Sequence, residues 1–444
     1  MNNSSALMNP DGGDGAWRAD MKPALDNLMA RILERDNVKR AWERVKSNKG
    51  APGSDGMTLD DFPAYAREHW NEIRQSLMEG SYQPRPVRRV VIPKPHGKGE
   101  RKLGVPCVID RVIQQAILQV LSPIFDPGFS ESSFGSRPKR SAHGAIRQVK
   151  TFVKSGYRYA VDLDLEKFFD TVNHDVLMSR IARKVTDKVL LGLIGRYLRA
   201  GVLVGWTIEA TDWGTPQGSP LSPLLSNILL DDLDQELEAR GHRFIRYMDD
   251  LVILVKSRRA GRRVMAKISH YLTQKLKLKV NREKSRVVKI EDLEYLGFTF
   301  RGIRIFASHQ AWQDFKHRLK GFTSRSWGVS MAERIERLNR YLRGWMNYFG
   351  ISQHYRPIEE LDGWLRRRIR MCYWKQWRRP RTRITNLLKL GTTKRQAILT
   401  GISRKGYWRL SKTLATHTGM TNEWLEQQGL LSIKQLWMKV QGYV

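Results

Sequence analysis

The chain of 444 residues carries 78 Lys and Arg against 44 Asp and Glu, a net charge of +34, and 41% of its residues are hydrophobic. That length suggests two or three domains, and the apolar share excludes global disorder. The cationic surplus predicts a polyanionic partner whose phosphates are neutralised with release of counterions. Cys107 and Cys372 are the only cysteines, which excludes a disulfide framework and a four-ligand zinc site and fits a reducing cytoplasm.

Taken in chain order, residues 1–22 read as a flexible tail, without the basic start and apolar core of a signal peptide. Over 24–47, Leu25, Leu28, Met29, Ile32 and Leu33, then Val38, Trp42 and Val45, fall at helical spacing and predict two short helices. GAPGSDG at 50–56 is a loop by composition. Residues 87–93 are strand-like, Gly97-Lys98-Gly99 reads as a hairpin turn, and 109–121 is a helix with an apolar face. Alternation over 157–165 predicts a strand, after which Phe168-Phe169 begin a helix. The longest apolar stretch, 189–206, is broken by Arg196 and Arg199, so no membrane span is expected. A long helix over 220–239 precedes a strand at 244–247, a turn at Met248-Asp249, and a second strand at 251–255. This order predicts an α+β, palm-like domain. From about 306 onward strands fade, and Arg, Trp and helical periodicity dominate, which predicts a second, α-helical domain.

Two acidic features stand out. One is Val161-Asp162-Leu163-Asp164-Leu165, carboxylates at a strand end; the other is Tyr247-Met248-Asp249-Asp250, carboxylates at a tight turn between apolar strands. Acids set between apolar runs are costly unless paired or metal-bound. Hard divalent ions favour such oxygens, and paired ions suit phosphoryl transfer. Alone, the turn is also compatible with a solvated hairpin, since Asp is common in turns. The two together point to a metal-dependent nucleic-acid polymerase.

An ordered series of blocks makes the resemblance more specific. These are IPKP (92–95) with RKLGVP (101–106), SFGSRPKRSAH (133–143), DLEKFFDTVNHD (164–175), GTPQGSPLSPLLSNILLDDLD (214–234), RYMDDLVILV (246–255), LKLKVNREKSRVV (276–288) and EYLGFTF (294–300). From about 24 to 442 the chain resembles the reverse transcriptase and maturase proteins of group II introns. The resemblance implies a right-hand polymerase: an N-terminal extension over 23–86, fingers and an antiparallel palm sheet over 87–305, and an α-helical thumb or maturase domain over 306–444. It implies RNA-directed DNA synthesis with two Mg²⁺ ions, for which Mn²⁺ can substitute. The ions would be held by Asp164, Asp249 and Asp250 with the Leu165 carbonyl. Asp162 and Asp170 do not match ligand positions and read as structural.

The same resemblance makes Phe169 a steric gate against a 2′-hydroxyl, or else a plain core aromatic. Gln217 and Gly218 would pack under the incoming dNTP. Lys94 and Arg101 would grip its triphosphate unless they are only a solvated basic hairpin, and Lys284 would lie near it unless it is only exposed. Tyr247 and Met248 would lie beside the primer end. WLRRRIRMCYWKQWRRPRTR at 364–383 holds no acid; its Arg366 and Arg367, with Arg404 and Lys405 in GISRKGYWRLSK (401–412), are the expected template or RNA contacts. Trp364, Trp374 and Trp377 read equally as core. LRGWMNYF (342–349) also resembles the maturase domain, and the 50–56 loop the N-terminal extension over the template.

The implied partners are an RNA template, a DNA or RNA primer, dNTPs and intron RNA, with no membrane; a homodimer is compatible with the sequence. Three residues depart from the common pattern: Met248 where Ala is usual, Ser219 for Gly, and Ser136 for Phe. No paired-cysteine endonuclease follows the thumb, so target-site cleavage is not expected. Three roles stay open: an intron-encoded reverse transcriptase, a maturase acting chiefly by binding RNA, and a free-standing polymerase serving double-strand break repair.

Overall fold

In the computed structural model of the protein, the described residues are 27–93, 99–204, 207–209, 214 and 218–443. The expected tail and the expected turn at Gly97-Lys98-Gly99 fall, wholly and mostly, outside them. The chain divides into two compact units, 27–148 with 156–288, and 149–155 with 289–443.

In the first unit the helical spacing near the start resolves into α1 (Leu28–Ile32) and α2 (Arg35–Ser47). Strands β1 (Val87–Pro93) and β2 (Glu100–Val105) pair antiparallel with Ile92 opposite Arg101. Helix α3 (Val108–Phe125) packs against α1 and α2. By length and composition alone it is long and apolar enough to cross a membrane. Its Val108, Val112, Ile113, Ile117 and Leu121 are buried in the unit's core.

Next come β3 (Tyr159–Leu163) and the single turn α4 (Phe168–Thr171). Short strands β4 (Val202–Val204) and β5 (Thr207–Glu209) extend the first sheet to the order β2-β1-β4-β5. Helix α5 (Ser222–Ala239) has Pro in its first turn and buries Leu225, Leu229, Leu233 and Leu237. Strands β6 (Arg243–Tyr247) and β7 (Asp250–Val255) form the predicted hairpin, and α6 (Arg258–Lys275) packs on β3 and β7. With β8 (Arg286–Lys289) these strands make the sheet β6-β7-β3-β8. It is buried where β-branched and aromatic residues alternate, at Phe244, Ile245, Val252 and Ile253.

The second unit opens on a small antiparallel sheet of β9 (Glu294–Tyr295), β10 (Phe298–Arg301) and β11 (Arg304–Ala307). The rest is helical, as the periodicity predicts, and the longest helix is α7 (Tyr355–Gln376). Its separate core gathers Phe315, Trp345, Leu365, Ile369 and Trp374. Phe315 and Trp345 stack at 3.9 Å, and the Trp374 indole donates to the Thr416 hydroxyl at 3.0 Å. The α+β reading therefore holds, with helices dominating the C-terminal part.

Candidate active site

Strand register brings the acids together. β3 lies antiparallel to β7 with Leu163 opposite Leu251, and β6 meets β7 at Tyr247 and Asp250. Continued by one residue, the first register sets Asp164 beside Asp250, while the two-residue turn presents Asp249. The end of β3 is stitched to a distant segment. The Asn281 amide donates to the Asp164 carbonyl at 2.9 Å, and the Glu166 amide to the Lys279 carbonyl at 2.8 Å. The Ser285 hydroxyl accepts from the Asp164 amide at 3.1 Å. Among the described residues none donates to the Leu165 carbonyl, which this pattern leaves open for another partner.

The turn at Met248-Asp249 is strained and braced. Met248 has φ +59°, a conformation rare for a bulky L-residue, and Ser136, another departure from the family pattern, has φ +53°. A Cβ on Gly135 would come within 2.3 Å of the Met248 amide nitrogen, so only glycine lets these backbones approach. Beneath the turn, Arg246 is fully buried and ion-paired to the equally buried Asp234. Its guanidinium also donates to the Met248 carbonyl at 3.0 Å, the Asn227 side-chain oxygen at 2.8 Å and the Ser133 hydroxyl at 2.9 Å. The Asn227 amide in turn donates to the Gly135 carbonyl at 2.9 Å. The cluster thus ties the turn to α5 and to the Ser133–Gly135 segment.

Asp164, Leu165, Phe169, Arg101, Lys284, Asp249 and Asp250 line one cavity of about 630 Å³. Burial, then the charges of Asp249, Asp164 and Asp162, push the Asp250 carboxyl up to about 6. Burial and Asp164 likewise raise Asp249, while Arg101 and Arg246 pull it back. The Lys284 ammonium lies 3.5 Å from Asp164. Asp162 pairs with Arg286 at 3.4 Å. Crowded acids whose charged forms disfavour one another are a donor set that a hard divalent cation would relieve. Among the described residues no three acidic, imidazole or thiol groups already form a closed cage, so the carboxylates would have to close on an ion.

Phe169 is half-buried at the cavity edge, with its ring edge-on to buried Phe168 at 5.3 Å. Gly214, at φ +93°, lies so close that a Cβ would meet the Phe169 carbonyl at 2.8 Å. Gly218, at φ +119°, sits against the Gly104 carbonyl rather than lining the cavity. Tyr247 and Met248 are half-buried at the turn. Lys94 and Gln217 lie outside the described residues.

In the second unit the expected RNA contacts separate. Arg366 is only 7% exposed and is held by Asp362 at 2.9 Å and Glu426 at 3.1 Å. Its expected nucleic-acid contact is therefore replaced by an internal ion-pair role. Arg370 is buried too, donating to the Met420 carbonyl at 2.7 Å, and burial lowers its pKa to about 10. Arg367 stacks 3.7 Å over Trp408, while Arg404 and Lys405 are exposed.

Comparison with known proteins identifies the family. Residues 92–300 match the family "Reverse transcriptase (RNA-dependent DNA polymerase)", and 312–391 match "Group II intron, maturase-specific domain". Protein YkfC of Escherichia coli strain K12 is 32% identical over 341 residues, 68% of this chain and 88% of that protein. The group II intron-encoded protein LtrA of Lactococcus lactis subsp. cremoris is 39% identical over 204 residues, covering 46% of this chain but only 34% of LtrA. A solved structure, a partial Cas6-RT-Cas1–Cas2 complex, is similar with a TM-score of 0.37 and 26% identity, over 56% of this chain and 42% of that one. The protein is thus an RNA-directed DNA polymerase by domain type. It belongs to the group II intron-type reverse transcriptases and carries their maturase-specific domain.

Sequence reasoning missed the brace. Arg246, Asp234 and Asn227 fall inside the quoted blocks, yet no local pattern marks them, because their partners lie on other segments. Ser285 and Asn281 are missed for the same reason.

Proposed function

We infer that the cavity performs templated nucleotidyl transfer, with Asp164, Asp249, Asp250 and the Leu165 carbonyl as the seats of two divalent ions. The supporting observation is that these groups share one cavity with Arg101, Lys284 and Phe169. Bound there, Mg²⁺ or Mn²⁺ would acidify the primer hydroxyl and neutralise the triphosphate. The primer 3′-oxygen attacks the α-phosphorus of the dNTP as its proton passes to water. The bond to the bridging oxygen breaks, and pyrophosphate leaves with the electron pair. Arg101 and Lys284, with Lys94 in the fingers, hold the triphosphate. Phe169, backed by Phe168 and Gly214, closes the space a 2′-hydroxyl would need. Gly218, against the Gly104 carbonyl, would support the nucleotide site from outside the cavity, a role the resemblance shares with Gln217, and Tyr247 and Met248 meet the primer end.

Reverse transcriptase domains generally use divalent ions, and group II maturases bind intron RNA. The maturase-specific match over 312–391 favours an RNA-binding role for the second unit, with Arg367, Arg404 and Lys405 as contacts. A cytoplasmic setting suits two buried, free cysteines. Extension of a DNA primer on an RNA template tests the polymerase reading. Incorporation of dNTPs should need Mg²⁺ or Mn²⁺ and vanish in Asp164→Asn and Asp249→Asn, whereas activity surviving either change would overturn it.

A further inference from the structure

At the far end of the β6–β7 hairpin from the carboxylates, a second concavity of about 510 Å³ opens between the start of β6, the end of β7 and α6. At the usual strand rise, the length of β7 puts roughly 17 Å between Asp250 and Val255. The concavity is lined by Arg240, Arg243, Lys256, Arg263 and Lys267, together with His242, and by no carboxylate. Its floor is apolar, with Leu254 and Val255 buried.

The cations come from separate elements, so they do not simply form one solvated helix face. Arg240 pairs with Glu236 one turn back. Among the described residues no carboxylate forms an ion pair with Arg243, Lys256, Arg263 or Lys267. Lys256 lies 5.9 Å over the ring of Tyr157. The imidazole of His242 reports the local field: burial, then Arg240 and Lys267, hold it below its ordinary pKa. Gathering like charges in a hollow destabilises the fold unless an anion is bound there.

Guanidinium groups spread across the hollow match several phosphates better than one small anion, which would engage only its nearest one or two donors. We propose that this concavity binds the phosphodiester backbone of a single-stranded RNA segment, away from the reacting primer end. It gives the polymerase unit an anchoring site that the catalytic cavity does not include.

The test uses the full chain with its active site filled by a short, chain-terminated primer–template hybrid and the next dNTP. A labelled oligo(U) RNA of about 40 nucleotides is then titrated in at several salt concentrations. Exposed Arg263 and Lys267 are reversed together in Arg263→Glu/Lys267→Glu. The oligo(U) affinity should fall at least about tenfold, and the slope of log affinity against log salt should shrink by about 1.4, as for two lost phosphate contacts. Arg263→Lys/Lys267→Arg should keep both. Unchanged affinity and slope in the reversal variant would overturn the proposal, as would equal losses in both variants. Displacement of oligo(U) by inorganic phosphate as effectively as by unlabelled RNA would show a free-anion site and overturn it too. Primer extension on the short hybrid should stay within about twofold in both variants, so failure of the polymerase reading is detected separately.

Discussion

The palm cavity and helix α7 handle charge in opposite ways. In the cavity, Asp164, Asp249 and Asp250 crowd together, and the carboxyl of Asp250 is pushed up to about 6. In α7, Arg366 and Arg370 look on paper like a nucleic-acid surface, yet both are buried and engaged by Asp362, Glu426 and the Met420 carbonyl. Charge held in mutual repulsion beside an open cavity marks chemistry, whereas charge consumed by internal partners marks architecture. The brace at Arg246 is the palm's own case of the second kind, buried charge used to position the first.

The sharpest way to break this contrast is to remove a consumed charge. Arg246→Met leaves Asp234 buried without its partner, and urea unfolding should show a loss of about 3–5 kcal/mol. A change under about 1 kcal/mol would mean the pair is not the brace described. Arg366→Ala should cost less, about 2–4 kcal/mol, because Glu426 is partly exposed. If that variant instead folds normally and loses RNA affinity, the α7 side of the comparison fails.

Smaller effects sharpen it. Phe169→Ala should lower discrimination against ribonucleotides by about 10- to 100-fold, or about 1–3 kcal/mol, in competing incorporation assays. Undiminished discrimination would leave Phe169 a packing residue beside Phe168. The smallest effect is expected from Arg404→Ala/Lys405→Ala. Melting temperature should hold while the salt slope of single-stranded RNA binding falls by about 1.4. A flat response would remove these two exposed cations from the interface.

Much of this was legible in the sequence where the physics is local. Periodicity located α2 and α3, apolar alternation located β6 and β7, and the acids flanking those strands located the cavity. The strain at Met248 was not legible, because a left-handed φ in a bulky residue is imposed by the brace rather than chosen by the residue. Nor was the brace itself, which joins Ser133, Asn227, Asp234 and Arg246 across as many as 113 positions. The burial of Arg366 was half legible. Ile358, Leu361, Leu365 and Ile369 set the inward stripe of α7, and Asp362 lies one turn before Arg366, a spacing that forecasts an internal pair. Composition alone hid this, since an acid-free run of arginines looks the same whether it faces solvent or core.

On the proposed function the palm carboxylates are placed for ion-dependent transfer rather than for stability. Single-turnover extension of a DNA primer on an RNA template, with wild type and Asp249→Asn compared across Mg²⁺ concentrations, tests it directly. The expected result is a rate loss on the order of 10³-fold, about 4 kcal/mol, that no Mg²⁺ concentration restores, with a melting temperature unchanged or raised. An Asp249→Asn rate within a few-fold of wild type would contradict it.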